Sequence, residues 1–343
     1  MEKKIVTDKY KIFFNLMSGI EIMGGINGHP DPFALEYPSM IDIGVMGHCI
    51  NKCEFCYQGD KHEPNMTLDN FKRIVDEVGE HVNQIALGGR GDPNHHKDFK
   101  AIVKYARENR IAPNYTTSGI NLTEEMVEIT KEYCGAVAVS DYQKPHTYRA
   151  LKMFMDAKCK TNIHFVTSQY SFTTVLRILA GEDCWDGKVD LNRLNAIIFL
   201  LFKAQGRGIY SILSQPTEDQ TKVFAEVIKQ PLCNFKVGMD SCMMNKVLQH
   251  REMTTAEKLC ADSCEAGRMS MYITPDMKML PCSFGDHDLH GVPFNETNVR
   301  KIQSIWKHQE LFEKFRVILK ENPGCCPYEE LWKEFKSLMT YAA

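Results

Sequence analysis

The sequence predicts an α/β fold, a partial (β/α)6 barrel of the TIM type followed by a small cysteine-rich α+β domain. Two observations predict it. Short apolar runs alternate with amphipathic helical patterns, which is typical of βα units repeated around a parallel sheet. Beyond residue 215 this alternation fades and cysteine density rises. The six strand candidates are Ile41 to Val45, Gln84 to Leu87, Ala112 to Thr116, Ala136 to Val139, Asn162 to Val166 and Ala196 to Phe202.

Helices are predicted between these strands from capping residues and apolar stripes. Thr67 is an N-cap candidate with Asp69 in the first turn, and the stripe after it has the spacing of a core-facing helix. Residues 97–109 and the segment after Thr123 show the same pattern. Right-handed crossovers place the carboxyl ends of all the strands on one face, so we expect functional residues in the loops that follow the strands.

Three regions are predicted: an N-terminal extension (1–36), the barrel (37–215) and the cysteine-rich region (216–343). The 43% hydrophobic and 25% charged residues are ordinary for a globular protein. No run approaches a membrane span, and the first residues lack a secretory signal, so a cytoplasmic location is expected. The net charge of -3 gives no overall attraction to nucleic acid. We expect neither nucleic acid nor a membrane as a partner.

Thirteen cysteines, an odd number and partly clustered, favour metal ligation in a reducing compartment over disulfides. The most specific cluster is Cys49, Cys53 and Cys56, spaced Cys-x3-Cys-x2-Cys directly after the first predicted strand. Sulfur ligands select zinc or an iron-sulfur cluster. Structural zinc would need a fourth ligand such as His48 or His62, whereas a cluster can leave one iron open. Packed thiols without a metal are the remaining alternative.

This spacing, with Phe55 just before the last cysteine, resembles the signature loop of the radical S-adenosylmethionine (SAM) superfamily. The resemblance implies that Cys49, Cys53 and Cys56 hold a [4Fe-4S] cluster whose fourth iron is chelated by SAM. In that superfamily one electron cleaves SAM to a 5′-deoxyadenosyl radical, which abstracts a substrate hydrogen. The resemblance also implies that Phe55 and the backbone of Tyr57 contact the adenine, and that the fold is a partial barrel.

A glycine-rich turn, Leu87 to Pro93, follows the second predicted strand. By itself it predicts only a tight turn. Beside the cysteine loop it resembles the Gly-Gly-Glu motif of the superfamily, which binds the SAM ammonium. Arg90 stands where the acidic residue often stands, and its role is left open. The resemblance therefore implies that Gly88, Gly89 and Asp92 contact the SAM amine.

Polar residues at further strand ends are implied as SAM ligands. Thr117, Ser118 and Ser140 follow the third and fourth strands, where the superfamily contacts the ribose or carboxylate of SAM. Arg207 lies in a Gly-Arg-Gly segment after the sixth strand, and a guanidinium suits a carboxylate. Each has a structural alternative, as a cap, turn or surface residue.

The C-terminal region resembles the twitch or SPASM extension of radical SAM enzymes. The segment from Cys264 to Gly267 leads through a predicted hairpin to Pro281 and Cys282, and Met277 replaces the glycine usual at the hairpin turn. The resemblance implies one auxiliary [4Fe-4S] cluster, with Cys242, Cys264 and Cys282 as preferred ligands.

The fourth ligand of this auxiliary site is open among Cys260, Cys325 and Cys326, with Cys326 as the working assignment. Adjacent cysteines do not easily bind one cluster together without backbone strain. A zinc site built from the same thiols is the alternative.

The leading hypothesis for function is a radical SAM oxidoreductase that modifies a peptide or protein side chain, because the twitch and SPASM families are largely peptide maturases. Such an enzyme needs an electron donor, such as flavodoxin or ferredoxin. One alternative is radical chemistry on a small metabolite. The other is a zinc-stabilised binding protein without catalysis. The sequence identifies no catalytic acid or hydrogen donor.

Overall fold

The computed structural model describes residues 2–258, 261–294 and 301–331. The N-terminal residues form a three-stranded antiparallel sheet of β1 (Glu2–Val6), β2 (Tyr10–Asn15) and β3 (Glu21–Gly25). Alternate residues of β2, namely Tyr10, Ile12 and Phe14, are buried on one face of this sheet. The region predicted only as an extension therefore has a sheet of its own.

The main sheet contains seven parallel strands that neighbour one another in chain order. Strands β4 to β9 correspond to the six predicted strands, so the predicted partial barrel is confirmed. The seventh strand has only three residues and was not recognised in the sequence. The seven strands are β4 (Met40–Met46), β5 (Gln84–Gly89), β6 (Ala112–Thr117), β7 (Ala136–Ser140), β8 (Thr161–Thr167), β9 (Ala196–Leu201) and β10 (Val237–Met239).

Helices cover the outer face of this sheet. The hydroxyl oxygens of Thr67 and Thr123 accept hydrogen bonds from backbone amides in the first turns of the helices that follow, so both predicted caps are confirmed. Apolar stripes on the helices join the strands in one large core. The helices are α1 (Leu68–Val78), α2 (Phe99–Glu108), α3 (Glu124–Tyr133), α4 (Pro145–Asp156), α5 (Phe172–Leu179), α6 (Glu218–Val227) and α7 (Ser241–Leu248).

The C-terminal elements extend the same sheet beyond β4. The predicted hairpin is present, since β11 and β12 pair antiparallel, and β11 also pairs parallel with β4. Among the residues described, no helix is long and apolar enough to cross a membrane. The elements are α8 (Thr255–Lys258), β11 (Ser270–Ile273), β12 (Lys278–Leu280), α9 (His287–His290), β13 (Val292–Pro293), α10 (Ile302–His308) and α11 (Glu310–Glu321).

Candidate active site at the strand ends

The glycine-rich turn after β5 lies against the cysteine loop after β4. Gly89 has a φ of +107°, and a Cβ there would lie 2.4 Å from the carbonyl oxygen of Met46. A Cβ on Gly91 would lie 2.3 Å from the carbonyl oxygen of His48. Only glycine permits so close a backbone approach, and at Gly89 so unusual a φ. The structure therefore brings these two sequence motifs together at one end of the sheet.

The three thiols of the loop, Cys49, Cys53 and Cys56, are partly buried and close enough to interact electrostatically. Burial raises the pKa of Cys49 and of Cys53, and the charge of Cys56 raises both further. The loop is closed by a hydrogen bond from the Cys56 amide to the Cys53 carbonyl oxygen, at 3.2 Å. Thiols in this state favour a bound cation, because metal coordination stabilises the thiolate form that burial disfavours.

Tyr142 is a neighbour of this loop to which the sequence analysis gave no role. Its hydroxyl lies 3.2 Å from the sulfur of Cys53. Its ring stacks on Phe55 with ring centroids 5.9 Å apart. Phe55 is thus held by the loop after β7. Cys53 and Tyr142 are 89 positions apart in the chain, so no local sequence pattern signals their contact.

Two arginines donate hydrogen bonds to the backbone of the cysteine loop. Arg207 donates from Nε to the Cys53 carbonyl oxygen at 2.9 Å and from Nη1 to Asp60 at 2.5 Å. Arg90 donates from Nη1 to the carbonyl oxygen of Gln58. Arg207, which was predicted to contact the SAM carboxylate, therefore donates hydrogen bonds to the cysteine loop. Arg90, whose role was left open, also donates to this loop.

The carboxylate of Asp92 is oriented by the loop after β6. Its Oδ2 accepts hydrogen bonds from Thr117 Oγ1 at 3.0 Å, from the Ser118 amide at 2.8 Å and from Ser118 Oγ at 2.5 Å. Thr117 and Ser118 are 0% and 2% exposed, so their hydroxyls face Asp92 and not open space. Asp92 also lines a cleft of about 280 Å³ together with Cys49. This cleft has room for a ligand between a thiol and a carboxylate.

Ser140 ends β7 and is paired in register with His164 on β8. The Nδ1 of His164 lies 3.3 Å from the hydroxyl of Thr116. Burial lowers the pKa of His164 to about 4. Thr116 on β6 and His164 on β8 are partly buried and alternate with fully buried residues along their strands. His164 is therefore a neutral polar group of the sheet face that lies below the strand ends.

The C-terminal cysteines form a second thiol group. Burial, followed by the charges of the Cys242, Cys264 and Cys326 thiols, raises the pKa of Cys282 well above its ordinary value. All four residues line one pocket. Cys242 is in the first turn of α7, whereas Cys264 and Cys282 flank the β11–β12 hairpin. Elements far apart in the chain thus converge on one set of thiols.

Cys326, and not Cys325, faces this group. Cys325 is 5% exposed and is not part of the pocket lining, and its carbonyl oxygen accepts a hydrogen bond from Asn245 Nδ2 at 2.8 Å. The same Asn245 accepts from the Cys264 amide at 3.1 Å and so ties these two segments together. Cys260, the third candidate, lies outside the described residues.

The hairpin between these cysteines turns at a residue in the left-handed region. Met277 has a φ of +65°, where glycine is usual. Its side chain is 4% exposed and belongs to the large core. Core packing of the methionine therefore offsets the strain of its backbone.

The two thiol groups approach each other through aromatic rings. Tyr57, next to Cys56, contacts the ring of Phe284, two residues after Cys282, with centroids 4.6 Å apart. The Phe284 amide also lies 3.5 Å from the sulfur of Cys282. The side chain of Tyr57 therefore packs toward the second thiol group.

The sulfur donors of both thiol groups suit an iron-sulfur cluster or zinc. In the described part of the chain, no set of three or more His, Cys, Asp or Glu side chains has the spacing for one metal ion. Zinc holds its sulfurs at about 2.3 Å, which places them within roughly 4 Å of one another. A cubane binds each thiolate through a different iron and therefore suits thiols that lie farther apart.

Residues 43–140 match the sequence profile of the radical SAM superfamily. This segment begins in β4, contains the three-thiol loop and ends with β7. Over this segment the chain is similar to the radical SAM superfamily. The resemblance that the cysteine spacing indicated is confirmed.

Curated relatives match this chain over a limited stretch. The tungsten-containing aldehyde ferredoxin oxidoreductase cofactor-modifying protein of Pyrococcus furiosus is 28% identical over 25% of the chain and 25% of its own length. A SAM-dependent nucleotide dehydratase of Selenomonas ruminantium is 30% identical over 23% of the chain and 29% of its own length. The PqqA peptide cyclase of Bradyrhizobium diazoefficiens is 28% identical over 26% of the chain and 24% of its own length. The matched part therefore spans less than a third of each relative.

Solved structures share the fold over most of the chain. SuiB of Streptococcus suis bound to the precursor peptide SuiA has a TM-score of 0.67 and 14% identity, covering 92% of this chain and 90% of SuiB. The enzyme anSMEcpe with bound AdoMet and a Cp18Cys peptide has a TM-score of 0.58 and 14% identity, covering 80% of this chain and 82% of its own. At these identities the similarity shows a common fold, which includes the C-terminal elements.

Proposed function

We propose that this protein is a radical SAM enzyme that cleaves SAM reductively and abstracts a hydrogen from a peptide or protein side chain. The observation that carries the proposal is the three-thiol loop, set against the glycine-rich turn and Asp92 at the carboxyl ends of the parallel strands. When bound, a [4Fe-4S] cluster supplies the electron that converts SAM to methionine and a 5′-deoxyadenosyl radical. The chain supplies the ligands, the SAM site and the exclusion of water.

In this proposal, Cys49, Cys53 and Cys56 hold the cluster, and Asp92 accepts the SAM ammonium. An ammonium needs acceptors, and one oxygen of Asp92 is already fixed by Thr117 and the Ser118 segment. These two residues act through Asp92, by orienting its carboxylate. Arg207 donates to the loop, and its contact with the SAM carboxylate stays a prediction.

The other proposed SAM contacts come from the strand ends. Gly88 has open space where a Cβ would be, so its backbone is accessible to a ligand. Gly89 follows Gly88 in the chain, and Ser140 is the last residue of β7. Phe55 and the backbone of Tyr57 would contact the adenine. These assignments rest on position and on the superfamily motif.

We further propose an auxiliary [4Fe-4S] cluster on Cys242, Cys264, Cys282 and Cys326. Their convergence on one pocket supports it. The alternative is a zinc site from the same thiols. A reducing cytoplasmic location and a flavodoxin or ferredoxin donor belong to this proposal.

A peptide substrate is favoured by fold and sequence together. The SuiB structure with this fold holds a precursor peptide, and one of the matched relatives is a peptide cyclase. The nucleotide dehydratase favours the second candidate, radical chemistry on a small metabolite. Incubation with SAM, dithionite and either a library of short peptides or a panel of nucleotides separates the two. Release of 5′-deoxyadenosine stimulated only by nucleotides would refute the peptide proposal.

Iron and zinc analysis with visible spectra of protein reconstituted without oxygen tests the clusters. We expect brown protein with about eight irons per chain. The triple variant Cys49→Ala/Cys53→Ala/Cys56→Ala should retain about four. About four irons plus zinc in the wild type would refute the auxiliary cluster alone. Colourless zinc protein would refute the whole proposal and support a zinc-stabilised binding protein.

A further inference from the structure

Lys203 places a buried positive charge between the barrel and the second thiol group. It follows β9 by two residues, and its side chain is 12% exposed. The ammonium lies 4.8 Å from the ring centroid of Phe284 and 3.5 Å from Asp240 Oδ2. Its Nζ atom is fully buried, and among the residues that the structure describes it has no hydrogen-bond partner of good geometry. A buried ammonium with so little compensation is costly, so it needs further negative charge nearby.

Two thiols of the second group, those of Cys242 and Cys282, also lie beside this ammonium. Lys203 lines the same pocket as these two cysteines.

Asp240 neutralises this charge only in part. Its Oδ1 accepts hydrogen bonds from the Met243 amide at 2.7 Å and the Leu201 amide at 3.2 Å, because Asp240 is the N-cap of α7. Its remaining oxygen meets Lys203 at a distance too long for a strong bond. The carboxylate of Asp240 therefore interacts both with the N-terminus of α7 and with the ammonium of Lys203.

We propose that Lys203 is a positioning residue that stabilises the reduced state of the auxiliary cluster and so raises its reduction potential. The inference rests on the proposed cluster at the four cysteines. Addition of one electron makes the cluster and its four thiolates more negative by one charge, with no bond formed or broken. A fixed positive charge in a site of low dielectric constant favours the more negative state. A residue two positions after the sixth barrel strand would thereby influence electron flow to and from the site.

The test is a redox titration followed by electron paramagnetic resonance, with dithionite as reductant and the full chain reconstituted without oxygen. Lys203→Met removes the positive charge, and we expect the oxidised-to-reduced ratio at a fixed potential to rise about tenfold, which is about 59 mV for a one-electron couple. Lys203→Arg should keep the potential close to that of the wild type.

Asp240→Asn provides a change of opposite sign. Asparagine caps helices as well as aspartate does, so α7 should be retained while a negative charge near the cluster is lost. We expect the potential to rise. Lys222→Met is the matched control, because Lys222 lies on the surface of α6, paired with Glu218, and its charge is solvated.

The outcomes separate this inference from the proposed function. A wild type without a second cluster refutes both the auxiliary site and the role of Lys203. A second cluster whose potential is the same in Lys203→Met and Lys222→Met refutes the role of Lys203 alone. If Lys203→Met does not retain the cluster, Asp240→Asn decides: an unchanged or lower potential refutes the inference, and a higher one supports it.

Discussion

Replacing Arg207 by methionine should loosen the cysteine loop and accelerate loss of the first cluster. Methionine keeps much of the side-chain volume but removes the donor that Nε presents to the Cys53 carbonyl oxygen at 2.9 Å. It also removes the contact with Asp60 at 2.5 Å. The first bond is charge-assisted and partly buried, which is worth about 2 kcal/mol. The second adds little, because Asp60 is 78% exposed.

A cost of about 2 kcal/mol corresponds to a roughly 30-fold larger population of the open loop. The assay is the rate of iron transfer to a chelator without oxygen, which we expect to rise by about that factor. The control is Arg193→Met, because Arg193 forms a comparable pair with Asp156 at 2.9 Å, but on the surface. If iron release is unchanged and only SAM affinity falls, then Arg207 binds the SAM carboxylate and our structural interpretation is refuted.

Three further predictions concern neighbouring residues. Tyr142→Phe removes a hydroxyl 3.2 Å from the Cys53 sulfur and should lower the potential of the first cluster, measured by redox titration; an unchanged potential would exclude this hydrogen bond. His164 has a folded-state pKa of about 4 and an ordinary pKa of 6.5, so the free energy of unfolding should fall by up to about 3 kcal/mol as the pH drops from 6.5 to 4. Urea unfolding at several pH values should show this loss in the wild type and not in His164→Gln. Gly89→Ala should destabilise the protein by about 2 kcal/mol or more and Gly88→Ala much less, by urea midpoint, because only the first Cβ meets a backbone oxygen; equal midpoints would contradict this.

The barrel strands could be predicted from the sequence because each is a short apolar run bounded by a turn or a helix start. Buried parallel strands have this pattern, and the predicted limits of the six strands differ from the observed ones by only one or two residues. The caps at Thr67 and Thr123 were equally local signals. The alternation in β2 was also present in the sequence, but its strand was not recognised. Strand β10 is too short to carry any pattern.

The candidate site was predictable only where its residues are close in sequence. Spacing identified Cys49, Cys53 and Cys56, because all three lie on one loop. The contacts of Arg90 and Arg207 with that loop could not be predicted, since they join residues 32 and 154 positions apart. A guanidinium suits a carboxylate and a carbonyl oxygen alike, so residue type does not distinguish the two roles. Only the fold decides which acceptor it meets.

The two thiol groups are joined by a continuous sheet. Strand β11 pairs with β4 over four residues, from Met40 with Ser270 to Ile43 with Ile273. Strand β4 ends three residues before Cys49, and β12 ends two residues before Cys282. A strand register does not shift gradually, because a slip of one residue would turn every side chain to the other face. The sheet therefore joins the segments that carry Cys49 and Cys282, and the ring contact of Tyr57 with Phe284 links the loops that follow them.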